Sequence, residues 1–234
     1  MKVLIAKNKT YEGPGLLKDT LKENNIDYSI VDLEKEEFPD IKNYTAIIVL
    51  GSPDSANDKT EKMKKELEKI KMAVQEKIPY FGVCLGMQAL VKAGGGEVIK
   101  NYTKEIGFRG PDNDLFEINL TEEGKKDPLF ENLNSDLNIF HLHGETVNLT
   151  QKMKLLAKGK YCQNQVVKVG DNAYGMQGHP ELTREMFEDW VKKDSWLQKA
   201  NQITLREDYE KLKEEYEKNG KQIFRNFLKI ANLI

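Results

Sequence analysis

The sequence predicts an α/β fold: a doubly wound, mostly parallel sheet with helices on both faces and a helical C-terminal extension. Three observations predict it. Continuous apolar runs such as Ala46-Ile47-Ile48-Val49-Leu50 suit strands covered on both faces. These runs alternate with helical patterns up to Ala93, as a parallel sheet with crossover helices requires. From Pro180 onward the pattern is helical.

Taken in order, Lys2 to Ala6 reads as a buried strand. The Gly-Pro-Gly turn at 13–15 leads to a helix from Leu16 to Asn24. Asp27 to Val31 is a second strand and Ala46 to Leu50 a third. Thr60 to Gln75 follows as a helix, with Met63, Leu67, Ile70 and Val74 on one stripe. Tyr80 to Val83 is a strand that ends at Cys84, and a helix then runs to Ala93. The middle, 97–170, reads as loops and shorter strands at Leu115–Leu120, Leu137–Phe140, Leu155–Lys158 and Gln165–Val169. Ala173 to Gly178 returns to the core. Two helical stripes close the chain, Leu205, Tyr209, Leu212 and Tyr216, then Ile223, Phe227 and Ile230, with Gly220 between them.

At 234 residues, without internal repeat or long linker, the chain reads as a single domain, 1–234. A net charge of −2 and only four arginines (Arg109, Arg184, Arg206 and Arg225) argue against nucleic-acid recognition. No run approaches the ~20 apolar residues of a membrane span, so no membrane partner is expected. Two cysteines, Cys84 and Cys162, make no disulfide framework, and the expected compartment is the reducing cytoplasm.

The segment Gly82-Val83-Cys84-Leu85-Gly86 carries the chemistry. A residue between a parallel strand and a helix is pushed out at the carboxyl edge of the sheet, where open α/β folds bind ligands. The turn is tight enough to demand small flanking residues. A helix N-terminus favours the thiolate. A lone Gly-x-Cys-x-Gly also fits a small buried core cysteine, so the reading needs a base elsewhere. His179 supplies one, in 174-YGMQGHPE-181. Histidine and glutamate two apart on extended backbone share a side, and Pro180 helps keep His179 extended. Cys84, His179 and Glu181 then form a nucleophile, base and orienting carboxylate.

A strand followed by Gly-Val-Cys-Leu-Gly-Met-Gln, and much later a strand followed by His-Pro-Glu, resembles the class I (triad) glutamine amidotransferases. Their fold is flavodoxin-like. The resemblance extends to 50-LGSPDS-55, to Lys104-Glu105-Ile106-Gly107 and to Ile223-Phe224-Arg225-Asn226-Phe227-Leu228. It also takes in 140-FHLHGETV-147, which is similar to the Ser-His-Gly-Asp-x-Val segment of GMP synthase amidotransferase domains. The resemblance implies that Cys84 attacks the side-chain amide of L-glutamine and forms a γ-glutamyl thioester while His179 moves the protons. It implies an oxyanion hole from the backbone of Leu85 and the Gly51-Ser52 loop. Gln88 and the backbone of Leu142, His143, Gly144 and Glu145 would grip the amino-acid head of the substrate. No cofactor is implied.

Three departures stand out. Ser52 occupies a position commonly glycine, Leu142 replaces a polar residue, and Glu145 is one methylene longer than the usual aspartate. A helical insertion at about 182–220, with Trp190, Trp196, Tyr209 and Tyr216, separates His-Pro-Glu from the last helix; it reads as packing onto the core or as a lid. His141, His143 and His179 also invite a three-histidine metal reading. That reading leaves the cysteine elbow without a purpose, so no metal is expected. The loop 51–55 lacks the paired glycines of a phosphate cradle. Nor is there a Walker A sequence, so a free-standing glutaminase-type domain is expected, delivering ammonia to a separate acceptor or synthetase subunit. The alternative is a stand-alone γ-glutamyl peptidase or hydrolase, towards which the Gln177-Gly178-His179 variant points. A non-catalytic binding module of the same fold is a third reading, which the complete triad opposes.

Overall fold

The computed structural model describes residues 2–234. A nine-stranded sheet organises the molecule, and its parallel half begins with β1 (Lys2–Lys7), β2 (Asp27–Asp32), β3 (Ala46–Val49) and β4 (Tyr80–Val83). β11 (Ala173–Met176) pairs parallel to β4, so the parallel strands lie in the order β2-β1-β3-β4-β11. The sheet continues antiparallel through β10 (Val166–Val169), β9 (Met153–Gly159), β6 (Glu117–Leu120) and β7 (Asp136–Asn138).

Alternation along β1 assigns the two faces. Val3 and Ile5 join one core with α1 (Gly15–Glu23) and the C-terminal helix α6 (Gln202–Ile230). There Phe81 packs against Phe224 and Phe227, with ring centroids 5.6 and 5.4 Å away. Leu4 and Ala6 join the other core, with α2 (Glu61–Gln75) and α3 (Leu85–Ala93). The doubly wound, mostly parallel architecture expected from the sequence is therefore present, and so is the helical C-terminal extension.

Three details differ from expectation. Residues read as loop form an additional ribbon, β5 (Glu97–Gly107) paired antiparallel with β8 (His141–Asn148). Its register breaks between Lys100 and Glu105, and this bulge interrupts the alternation by which a strand is recognised. On α2 the buried line is Met63, Glu66, Ile70 and Ala73; Leu67 and Val74 are only half-buried. The helix is turned so that Glu66 meets Asn8, whose Nδ2 donates to Glu66 Oε1 at 2.8 Å. Finally, Gly220 does not divide two helices: α6 runs unbroken for 29 residues. A Cβ at Gly220 would lie 2.2 Å from the Pro180 carbonyl oxygen, so this glycine permits close approach of helix to backbone.

Between β11 and α6 stand α4 (Arg184–Lys193) and the short α5 (Ser195–Lys199). Trp190 on α4 and Tyr209 and Tyr216 on α6 are core residues. Trp196 is not; it reaches the site described next. Among the described residues, no helix is long and apolar enough to cross a membrane.

Candidate active site

Cys84 follows the last residue of β4 and precedes the first of α3, at φ 50° and ψ −105°. Both flanking glycines are obligatory there. A Cβ at Gly82 would lie 2.3 Å from the backbone carbon of Gly86, and one at Gly86 would lie 2.2 Å from the Val49 carbonyl oxygen. Strand, turn and helix pack with no space between them, as the sequence spacing implies.

β11 lies beside β4, so the chain leaving β11 passes next to Cys84. The His179 backbone N–H donates to the Phe140 carbonyl at 2.8 Å. Its side chain interacts with Cys84, while Nδ1 lies 2.8 Å from Glu181 Oε1. Burial opposes charge on the imidazole, but Glu181 and Cys84 outweigh it and hold the His179 pKa well above the usual histidine range. Phe140 and Trp190 both stand edge-on to this ring in T-shaped contacts, with the Trp190 ring 4.9 Å from that of His179. The structure thus brings Cys84, His179 and Glu181 into one chain of contacts.

The residues expected to bind substrate gather around the same point. Gly51 faces it most closely: a Cβ there would lie 2.9 Å from His179 Cε1 and 3.3 Å from Cys84 Cβ. Ser52 sits in the adjoining turn without positive φ, and its Oγ accepts from Asp54 N–H at 3.1 Å. A side chain is therefore tolerated where glycine is common. Leu85 opens α3 next to Cys84, so its N–H has no acceptor within the helix. Gln88 Nε2 donates to the carbonyl of Glu145 and to Gln177 Oε1, both at 3.3 Å. Gln177 Nε2 in turn lies 3.7 Å from Cys84 Sγ. The Leu142 carbonyl is 3.9 Å from the same sulfur. Glu145 Oε2 accepts from Ser55 Oγ at 2.8 Å, which ties the 51–58 loop to β8.

His143 enters differently from expectation. Its backbone lines the cavity, but its ring is committed inward. Nε2 lies 2.7 Å from Glu105 Oε2 and Nδ1 lies 3.0 Å from the Glu145 carbonyl. A carbonyl only accepts, so Nδ1 donates. Glu105 is buried, yet His141 and His143 hold its carboxyl below the usual range. Burial pushes His141 itself down to about 4. Glu105, His141 and His143 are the grouping among the described residues with the geometry to hold a metal; His179 lies outside it, turned to Cys84. The three-histidine set considered from the sequence is not brought together.

A cavity of about 530 Å³ opens over Cys84. Several of its walls were not legible as site residues in the sequence. Lys100 and Lys104 come from the unexpected β5, Asp194 and Trp196 from the α4–α5 junction, and Glu12 from the turn after β1. Lys104 Nζ lies 4.0 Å from the Trp196 ring centre, and Trp196 closes over Gly144, where an added Cβ would meet it at 3.0 Å. Only Glu12 and Gln177 carried a signal. Glu12 follows the carboxyl end of a predicted parallel strand, and Gln177 stands two residues before His179 on extended backbone.

Fold and site together define an α/β protein with a cysteine set between a parallel strand and a helix, at the carboxyl edge of its sheet. The family model for class-I glutamine amidotransferases matches residues 15–197, and the chain belongs to that family. It is 31% identical over 159 residues to the glutamine amidotransferase-like protein YfeJ of Salmonella typhimurium, covering 66% of this chain and 64% of that one. It is 34% identical over 154 residues to the GMP synthase of Borreliella burgdorferi, covering 65% and 27%. Gamma-glutamyl peptidase 4 of Arabidopsis thaliana is 27% identical over 167 residues, covering 70% and 64%. The chain therefore spans less than two thirds of these relatives. In fold it is similar to a glutamine amidotransferase from Thermotoga maritima, with a TM-score of 0.85 at 22% identity over 99% of this chain and 98% of that one.

Proposed function

We propose that this chain cleaves the side-chain amide of L-glutamine, or of a γ-glutamyl compound, through a thioester on Cys84. The observation that carries this reading is the contact chain Cys84–His179–Glu181 at the strained strand-to-helix turn. Cys84 Sγ bonds to the amide carbonyl carbon, and the developing oxyanion is received by the N–H groups of Leu85 and the Gly51–Ser52 loop. As the tetrahedral species collapses, the C–N bond breaks and His179 gives its proton to the departing nitrogen. Water then attacks the thioester, passes a proton to His179 and releases glutamate, restoring the thiol. Glu181 holds the imidazole in orientation throughout. Gln88 and the 142–145 backbone hold the amino-acid head.

In the amidotransferase form of this reading, ammonia passes to a separate acceptor or synthetase subunit. Family membership and the GMP synthase relatives support it. A second form, hydrolysis of larger γ-glutamyl amides by the chain alone, is favoured by the cavity: about 530 Å³ is far more than departing ammonia needs. Glutamate release from glutamine and from γ-glutamyl dipeptides by the purified chain tests both. Faster cleavage of the dipeptides selects the second form, and release from neither sinks the thioester reading.

A further inference from the structure

The cavity wall holds one buried acid that plays no part in the thioester steps. Glu12 is 6% exposed, and no hydrogen bond reaches its carboxylate among the described residues. The point where Gly51 lacks a Cβ lies 3.1 Å from Glu12 Oε2, as well as 2.9 Å from His179 Cε1 and 3.3 Å from Cys84 Cβ. Thiol, base and a free carboxylate therefore converge on a single small space. Asp194, at the N-cap of α5, lines the same cavity; its Oδ1 accepts from the N–H groups of Trp196 and Leu197. The cavity's basic groups, Lys100 and Lys104, are on β5, beside the β8 segment that would grip the glutamyl head. Glu12 thus faces the thiol and the imidazole, with Asp194 near enough to act on it, while Lys100 and Lys104 lie along β5.

We infer that Glu12 and Asp194 form a cation-binding subsite for the departing amine, and that the substrates taken best are γ-glutamyl amides whose leaving amine carries a positive charge. This rests on the γ-glutamyl amide reading above. A carboxylate enclosed without a partner is costly, and an ammonium group placed against it removes that cost through a charge-assisted hydrogen bond.

The groups facing Glu12 are consistent with this. Burial pushes its carboxyl up to about 7; His179 opposes the rise, and Glu181, Asp194 and Asp54 add to it. The nearby Lys9 is engaged with Glu34 at 2.6 Å, so it does not neutralise Glu12. Of the acids that act on Glu12, Glu181 is engaged with His179 and Asp54 with Lys62 at 2.9 Å, which leaves Asp194 as its companion for an entering cation.

The test compares two γ-glutamyl amides of the same size, N-(2-aminoethyl) and N-propyl, which differ in a terminal ammonium. Turnover by the whole chain is expected to favour the aminoethyl amide by about tenfold or more, the scale of one charge-assisted hydrogen bond. That preference should shrink to within about threefold in Glu12→Gln, and fall in the wild type as pH drops through about 7 and Glu12 is protonated. Asp194→Asn keeps the helix cap and removes the charge, so it should narrow the preference too. Calorimetric binding of the same two amides to Cys84→Ala requires no turnover and should show the same preference. Equal binding of the two, or a preference unchanged by Glu12→Gln, overturns the subsite. Preferential binding without turnover of either amide in the wild type leaves the subsite standing and overturns the thioester chemistry instead.

Discussion

The hydroxyl of Tyr216, 37 residues after His179, donates to the His179 carbonyl and accepts from the Leu182 N–H at 3.2 Å. One phenol on α6 thus holds both ends of the His-Pro-Glu segment. Tyr216→Phe leaves that carbonyl and that N–H unpartnered in the interior. The expected cost is about 1–3 kcal/mol of stability, read by denaturant melts, with a fall in kcat as the imidazole loses its fixed backbone.

Cys84→Ala should abolish glutamate release and leave the fold unchanged, because alanine fits the same elbow. A glutamine-like electrophile should add a single mass, at Cys84. Cys162 should stay unlabelled: it is fully buried, contacts Thr146 Oγ1 at 3.1 Å, and burial pushes its thiol up to about 11. Label found on Cys162 alone by mass spectrometry contradicts the assignment.

His179→Ala should lower kcat by about 10²–10⁴-fold, the span of general acid–base catalysis. Glu181→Gln should cost less, since Glu181 orients the ring and takes no proton. It also removes a negative charge that favours the imidazolium, so the His179 pKa falls. The alkaline limb of the pH–rate profile should therefore move to lower pH in Glu181→Gln. A profile that does not move argues that Glu181 has no electrostatic hold on the base.

Two glycine substitutions should fail in different ways. Gly82→Ala puts a Cβ 2.3 Å from the Gly86 backbone, which cannot move, and should destabilise by about 1–3 kcal/mol or more. Gly51→Ala puts a Cβ 2.9 Å from His179 Cε1 and 3.1 Å from Glu12 Oε2, which are side chains and not backbone, so it should cost less stability than Gly82→Ala while losing turnover. Equal melting losses for the two would contradict this separation.

Glu66 offers a pH test of stability. Burial pushes its carboxyl up to about 7, with Asn8 and Lys62 working against the rise. Its Oε2 and the Oδ1 of its neighbour Asn8 are both unpartnered, two acceptors with no proton between them. A folded-state pKa above the unfolded value gives stability that is full below about 4.5 and is lost as pH rises through about 7. Glu66→Gln supplies the missing donor at every pH. It should raise the melting temperature at pH 8, by on the order of 3 kcal/mol in stability, and change little at pH 4.

The parallel half of the sheet and the triad were legible in the sequence because each rests on local chemistry: apolar runs, an elbow with small flanks, and two side chains on one side of an extended segment. The β5–β8 ribbon was not, because a bulge breaks its period and its partners are far apart in the chain. Glu66 escaped notice because α2 is rotated by its contact with Asn8, which no periodicity records. Trp196 looked like any other aromatic on a helical stretch, and only the path of α5 across β5 separates it from the core residues Trp190, Tyr209 and Tyr216. Gly220 looked like a helix end because its reason, the Pro180 carbonyl, lies on another element.

Six non-glycine residues among those described have positive φ, and four of them are asparagine, which tolerates it well. Cys84 differs even from these, since ψ −105° lies outside the left-handed helical well. Holding an L-residue there costs about 1–3 kcal/mol, which the surrounding sheet and helix must absorb. For folding alone, the optimal residue at this position is glycine. A lineage released from selection for activity would gain stability by drifting to it. Cysteine at position 84 therefore works against the preference of its own backbone, as a side chain kept for its chemistry would.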